Sequence, residues 1–559
     1  MSSTRSQTKT CQNCKNDFTI EPDDFSFYEK VRVCSPKICP YCRAQLRLNF
    51  RNERTFYKRK CDKCGDNTVS MYSSNKPFEI YCYDCWFGDD WGGEDFGLEY
   101  DPTKPFFEQF KELWKKVPKV SLIYMRSPGS EYTNISADNK DCYMIVESSN
   151  NENSINSYWI QECRDVVDTS FSSKCELTYE SDDCYNSYQL LYSKGCHDCT
   201  TSYFLTDCRG CTDCIGCINL RNKSNYIFNE SYSKEEYEKI KNELQLNTYS
   251  GVKNFREKYQ EFLNKKPRKF AEVIQALNST GSYMKNVKNC KSCFHCYDAE
   301  DNKYGAHIIR NAKDVMDSDT VGINTSLIYN SINSALSSNN IVCGAVCWTC
   351  SFVEYSMYCF NSNNCFGCVG LRKKNYCILN KQYSKDEYEK ILDKIKSELK
   401  EKGEYGEFFS KDLSCFGYNE TPAFEQFPLS KEEALLQGFN WEDTERGTYG
   451  KETKKINEIP ESINEINFNT ADEIFACESC NKNYKIIQNE YLFYKKLDIP
   501  LSRLCPECRY NRRIKSRGPN RLWYRKCMKE GCTNEFGTSY SPDRPEIVYC
   551  EKCYQKEVY

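Results

Sequence analysis

The sequence predicts a mainly β fold with short helices. Four small four-cysteine modules, two at each terminus, flank two cysteine-rich repeats of β-solenoid type. Three observations predict it. Paired cysteines recur at both ends with the same gaps, cysteines in the middle recur at fixed separations, and a long middle stretch occurs twice.

The N-terminal pairs are Cys11/Cys14, Cys39/Cys42, Cys61/Cys64 and Cys82/Cys85, with 24 residues between Cys14 and Cys39 and 17 between Cys64 and Cys82. The C-terminal pairs Cys477/Cys480, Cys505/Cys508, Cys527/Cys532 and Cys550/Cys553 repeat both gaps. Shared gaps so far apart indicate an ancestral duplication. Two thiolates a few residues apart grip one ion from a tight turn, and a second pair on a returning hairpin completes a tetrahedral S4 shell. The spacing therefore predicts four zinc ribbons, one ion for each successive two pairs. Four thiolates leave zinc no open position, so the ions are structural. Disulfide pairing is the alternative; spacing that matches twice in one chain favours zinc.

Cys11-Gln-Asn-Cys14, Phe18, the run Asp24-Phe25-Ser26-Phe27-Tyr28-Glu29-Lys30 and Cys39-Pro-Tyr-Cys42-Arg43 resemble the zinc-ribbon domains of bacterial proteins. The second copy reads Cys477-Glu-Ser-Cys480, Tyr494-Lys-Lys496 and Cys505-Pro-Glu-Cys508-Arg509. The whole layout is similar to multi-ribbon proteins of candidate-phylum bacteria and large DNA viruses. That resemblance implies bound zinc and implies no particular activity.

The chain has 559 residues, 77 basic and 80 acidic, with only 3 histidines and a net charge of -3. Such a balance argues against a globally basic nucleic-acid binder, while local patches can still act. Thirty-eight cysteines in so long a chain, behind a polar N-terminus without a signal-peptide core, point to a reducing compartment, the cytoplasm. No run of about 18 apolar residues occurs, so no membrane span is expected.

After Cys42, Arg43, Arg47, Arg51 and Arg54 fall on one face of a helix, with Leu46 and Phe50 beside them. Arg509, Arg512, Arg513 and Arg517 form the matching stripe, which Gly518-Pro519 should end. A basic stripe beside a zinc ribbon predicts a phosphate-backbone contact. The alternative is a helix face neutralised by the acidic remainder. Residues 86–100 read as a connecting loop. Phe106, Phe107, Phe110, Leu113 and Trp114 then mark a short amphipathic helix.

From about residue 127, cysteines fall at 142, 163, 175, 184, 196, 199, 208, 211, 214 and 217, and a separation of 21 recurs. A fixed coil length with small residues at equivalent points suits a β-solenoid, whose rungs stack like side chains. These cysteines are read as an internal ladder. The rival is a metal cluster at Cys208, Cys211, Cys214 and Cys217. Against it, a ferredoxin-type run has three residues in its last gap and a following proline, and this one has two and Ile218.

Cys214-Ile-Gly-Cys217, Leu220-Arg221 and the run from Tyr232 to Ile240 recur as Cys365-Phe-Gly-Cys368, Leu371-Arg372 and the run from Tyr383 to Ile391. Ser362 replaces Cys211 and Ala312 replaces Cys163, which suits packing better than ligation. Each repeat ends in a helix opened by a capping box, Ser233-x-x-Glu236 or Ser384-x-x-Glu387; Ser430-x-x-Glu433 opens a third. These helices are expected to cover the open ends of the solenoids. The domains expected are a ribbon pair at 1–90, a first solenoid with flanking helices at 105–264, a second at 265–405, a helix and polar linker at 406–470, and a ribbon pair at 471–559.

Three histidines leave little acid–base capacity near neutral pH. On a β-helix, Asp165, Asp168, Asp314 and Asp317 are the candidate carboxylates of a carbohydrate-active enzyme; the favoured reading is that Asp occupies solenoid corners, bonding turn amides, because an Asp-x-x-Asp match is unspecific. The function expected is a non-enzymatic zinc-binding scaffold or interaction protein. Its partner would be nucleic acid, held by the basic helices, or another protein, and no small-molecule substrate is expected. A purely structural assembly or particle component, and the carbohydrate-active enzyme, are the alternatives.

Overall fold

The computed structural model describes residues 5–466 and 473–558; the end of the expected linker, after Ile466, lies outside them. From Asn134 to Arg221 the backbone forms parallel bridges between residue i and residue i+12, at every third position. Each turn of the coil thus has twelve residues in four sides of three. The residue after each bridge turns the corner with positive φ, from Ile135 and Asp138 through to Asn225 and Phe228. Asn, Asp and Gly suit that conformation, and Asp165, Asp168, Asp314 and Asp317 all occupy it. The third residue of each side points inward.

The period of three explains the cysteine pattern and corrects the 21-residue ruler. Any two inward residues are separated by a multiple of three, and 21 is one such multiple; the coil itself is twelve. A lumen only three residues across on each side takes small and mid-sized side chains, mostly Cys, Ser, Thr, Val, Ile and Leu, with Asn139 and Asn151 bonded to backbone carbonyls near its start. Cys142, Cys163, Cys175, Cys184, Cys196, Cys199, Cys208, Cys211, Cys214 and Cys217 are all buried there, in one apolar cluster with Ile145, Val166 and Leu205. Reduced cysteine serves as a small hydrophobe.

A second stack follows the same plan in a ten-stranded sheet from Val273–Leu277 to Lys381–Gln382. Its first turn, from Val273 to Met284, has eleven residues, its turns between Ala299 and Asn339 have thirteen, and the others have twelve. Ala312 and Ser362 are buried at the inward positions of Cys163 and Cys211. The last strand of each stack, Ser224–Ile227 or Asn375–Ile378, folds back on a short antiparallel partner. The capped helices Lys234–Glu243 and Lys385–Glu401 then pack on those last strands through Tyr237 and Tyr388.

Gly216 and Gly367, shared by the duplicated Cys-x-Gly-Cys motifs, have φ of +67° and +63°. A Cβ on Gly216 would lie 2.8 Å from Phe255 Cζ, and one on Gly367 2.4 Å from Phe106 Cζ. These phenylalanines belong to helices Tyr249–Asn264 and Phe106–Lys116, which pack along the outer flanks of the first and second stacks respectively, across successive rungs. So the helix that precedes the first stack in sequence packs on the flank of the second.

The same crossing governs the termini. Strand Ile80–Tyr81 pairs with Lys119–Val120 at the entry to the first stack, while the following Trp86 packs on Phe360 of the second. In the other half, Val548–Tyr549 pairs with Arg268–Lys269 at the entry to the second stack, and Tyr554 bonds to Asp207 and Asn219 of the first. The two stacks also touch directly, with Trp159 stacked on Tyr297 and Tyr185 Oη 2.6 Å from Tyr297 Oη.

Candidate metal centres

In each module a short hairpin presents the first two cysteines and the N-terminus of a helix presents the last two. Cys39, Cys82 and Cys505 are the N-cap residues of helices Pro40–Leu48, Tyr83–Phe87 and Pro506–Arg517, and Cys550 immediately precedes helix Glu551–Val558. A helix N-terminus favours negative charge, which suits a thiolate ligand. In three of the four modules the hairpin tip closes in the same way: the amides of Lys15, Gly65 and Asn481 donate to the carbonyls of Cys11, Cys61 and Cys477, and all three residues have positive φ; in the fourth, the Cys532 amide donates to the Lys529 carbonyl.

The sixteen cysteines converge as four groups: Cys11, Cys14, Cys39 and Cys42; Cys61, Cys64, Cys82 and Cys85; Cys477, Cys480, Cys505 and Cys508; Cys527, Cys532, Cys550 and Cys553. Within each group all four sulfurs lie within 4.8 Å of one another. The second and third sulfurs of the four groups are 3.8, 3.9, 3.8 and 4.0 Å apart. A tetrahedron with metal–sulfur bonds of about 2.3 Å has edges of about 3.8 Å. A disulfide needs about 2.0 Å, and all 38 cysteines are free. The first sulfur of each group also accepts an amide N–H from the third cysteine, at 3.2 to 3.3 Å. The donor set therefore fits a thiophilic ion in a closed shell. Among the described residues, the run Cys208, Cys211, Cys214 and Cys217 forms no such group; its sulfurs line four successive sides of one turn.

The arginine stripes, expected to face a phosphate backbone, meet carboxylates of the chain itself. Arg43 Nε donates to Asp317 Oδ2 at 2.6 Å, and Arg47 reaches Asp319 at 3.3 Å and Asn330 at 3.1 Å. Arg51 pairs with Glu53 and Glu147. In the C-terminal copy, Arg509 and Arg513 lie 2.9 and 3.3 Å from Asp168, and Arg517 pairs with Asp182 and Asp183. These six arginines are each 6% exposed or less. Arg54 pairs with Glu425 and lies over the Tyr510 ring, and Arg512 pairs with Glu180. Helix Pro506–Arg517 carries all four of its arginines, whereas helix Pro40–Leu48 carries only Arg43 and Arg47, and Arg51 and Arg54 follow its end in non-helical chain. What the buried arginines meet is a row of acidic coil corners.

The same contacts engage the four carboxylates considered for a carbohydrate-active enzyme. Asp168 and Asp317 are fully buried against the arginines, and Asp165 and Asp314 pair with Lys496 and Lys30. The Asp168–Arg509 contact is close in distance without hydrogen-bond alignment, so it acts chiefly through charge. Burial outweighs Arg509 and Arg513 there and lifts the Asp168 carboxyl to about 6.

Two of the struts carry one arginine between two carboxylates. Burial pushes Glu53 up to about 8 despite Arg51, and pushes Asp183 up to about 8 despite Arg517. Glu147 shares Arg51 with Glu53; burial opposes its charge, yet Arg51 and His307 hold its carboxyl well below the usual range. Glu53 and Asp183 thus keep their protons in the folded chain after the unfolded chain has lost them. Their contribution is fully present below about pH 4 and is lost as pH rises through about 8. Each proton tilts stability by roughly 1 kcal/mol per pH unit in between. With metal saturated, the urea midpoint is expected to fall from pH 6 to pH 8, and Glu53→Gln should flatten that slope.

Fold and sites together define a double coil stack strutted by four four-cysteine modules, each able to hold a metal ion. The chain matches no protein-family model and no curated protein sequence. No helix among the described residues is long and apolar enough to cross a membrane.

Proposed function

We propose that this chain is a non-enzymatic scaffold in which four structural zinc ions fold the terminal modules, and the modules fix the two coil stacks in one arrangement. The carrying observation is the coupling of each first module to a stack. In both halves a metal-side cysteine begins the helix whose arginines end on buried coil carboxylates. An ion that orders such a helix N-terminus sets the angle at which the whole strut enters the coil. Zinc suits the closed four-thiolate sets and supplies no reactive position there. The reduced cysteines lining both coils favour a reducing compartment such as the cytoplasm. The outer coil faces and module surfaces then serve as sites for protein partners.

Metal analysis of reduced, purified full-length chain tests this: four zinc ions per chain are expected, retained on desalting. Two or fewer retained ions would remove the proposal.

A further inference from the structure

A cleft of about 410 Å3 opens where the last module meets the first coil stack, lined by the cations Arg209, Arg221 and Lys269, the carboxylates Asp207 and Glu551, and Val273, Ile274, Tyr554 and Gln555. His197, Arg209 and Arg221 stand on three consecutive rungs of one coil face. Rungs are about 4.8 Å apart, so the two guanidinium side chains rise from directly neighbouring positions, an unfavourable pairing without an anion. The carboxylates present are already engaged. Asp207 takes Arg221 at 3.2 Å and the hydroxyl of Tyr554, and Glu551 takes Lys269 at 3.0 Å. Arg209 makes no ion pair among the described residues, and its Nε is buried without a hydrogen-bond partner. Burial raises the nearby Glu272 carboxyl to about 7, so it is a weak counter-ion at neutral pH.

The duplicated half shows what this position looks like when it is purely structural. There the three rungs carry Trp348, Phe360 and Arg372. Phe360 packs on Trp348 and Trp86 at 5.6 Å each, and Arg372 donates to the carbonyls of Gly88 and Trp91. That copy is filled by aromatics and closed by backbone. In the cleft, Arg209 stands where Phe360 does, Tyr554 where Trp86 does, and the volume is open. One framework thus carries a packed plug in one half and an open cationic cleft in the other.

We propose that the cleft binds a small phosphate monoester, its phosphate on Arg209 with Lys269 opposite and its organic part against Val273, Ile274 and Tyr554. Guanidinium groups match phosphate oxygens in paired hydrogen bonds, and the volume is in the range of small-molecule sites. The cleft needs the folded last module, so the inference rests on that module holding its metal, and the zinc-loaded chain is the one to titrate. Isothermal titration of the zinc-loaded full chain with adenosine monophosphate and with inorganic phosphate, at constant ionic strength, tests it. One site per chain is expected, weakened at least tenfold by Arg209→Met and unchanged by Lys140→Met on the remote coil surface. Lys269→Met should give a similar loss and decides the matter if Arg209→Met does not fold. Absence of binding by both phosphates, or binding unchanged in the variants, would overturn the proposal. Acetate binding as tightly as phosphate would overturn the ligand class.

Discussion

Chelation of the ions, with the freed thiols capped, is expected to unfold both ends of the chain and leave the two coil stacks standing. Around the ion itself the first module has little more than Cys11, Cys39 and Cys42 with partly buried Phe18 and Ile38, while its larger apolar residues, Ile20, Phe27, Tyr28, Leu46 and Phe50, are buried in the core it shares with the second stack. The cluster at the ion is too small to offset the entropy of ordering its hairpin, at about 1–2 kcal/mol per residue. Structural zinc supplies about 10–16 kcal/mol to comparable small modules. Each coil stack, in contrast, owns a continuous apolar interior. Hydrogen exchange should show amides of Gln7–Thr10, Asp17–Ile20 and Phe475–Ala476 losing protection on chelation, while Thr200–Tyr203 and Ser351–Glu354 keep theirs. Zinc added back before capping should restore the first set. Protection at both ends that survives complete removal would mean that packing alone folds the modules.

The contrast between ends and middle also marks what the sequence made legible. A metal site is written locally: its pairs sit in tight turns, and all four groups assemble as the spacing required. Capping boxes are local too, and Ser233, Ser384 and Ser430 each accept the expected amide. The coil was half legible. Its buried cysteines were recognisable, but the true repeat is the side of three, and Cys, Ser, Thr, Val, Ile and Leu alternate too freely at the inward position for one residue type to reveal it. Corner residues hid the period further, since Trp159, Phe171 and Tyr192 occupy left-handed positions that normally signal Asn, Asp or Gly. The crossing of the halves was not legible at all. Lys30 meets Asp314, and Lys496 meets Asp165, across most of the chain. Nothing in the local sequence of either partner names the other. An arginine stripe specifies a face and a sign of charge; a phosphate backbone and a column of acidic corners satisfy it equally.

Asp317→Ala is expected to destabilise the chain by about 3–5 kcal/mol, because it strands Arg43 in a buried site. Arg47 keeps Asp319 and Asn330, but Arg43 keeps only the carbonyl of Ile38. Asp168→Ala should cost a similar amount in the other half, leaving Arg513 with Ser170 and Arg509 with Glu490 and Tyr494. Asp314→Ala and Asp165→Ala are the discriminating controls. Their lysine partners are about half exposed, and surface pairs of that kind are worth about 0–1 kcal/mol. A corner carboxylate that only bonded its own turn would give the same small loss at all four positions, so the predicted split separates a strut from a turn residue. Replacing both partners, as in Arg43→Met with Asp317→Leu, should recover most of the loss, since removing both charges also removes the cost of burying them. Urea titration of the metal-saturated variants measures all five. If Asp317→Ala costs no more than Asp314→Ala, the arginines do not bear the load between module and coil, and the scaffold must be held by its aromatic contacts, such as Tyr28 on Tyr329 at 5.7 Å.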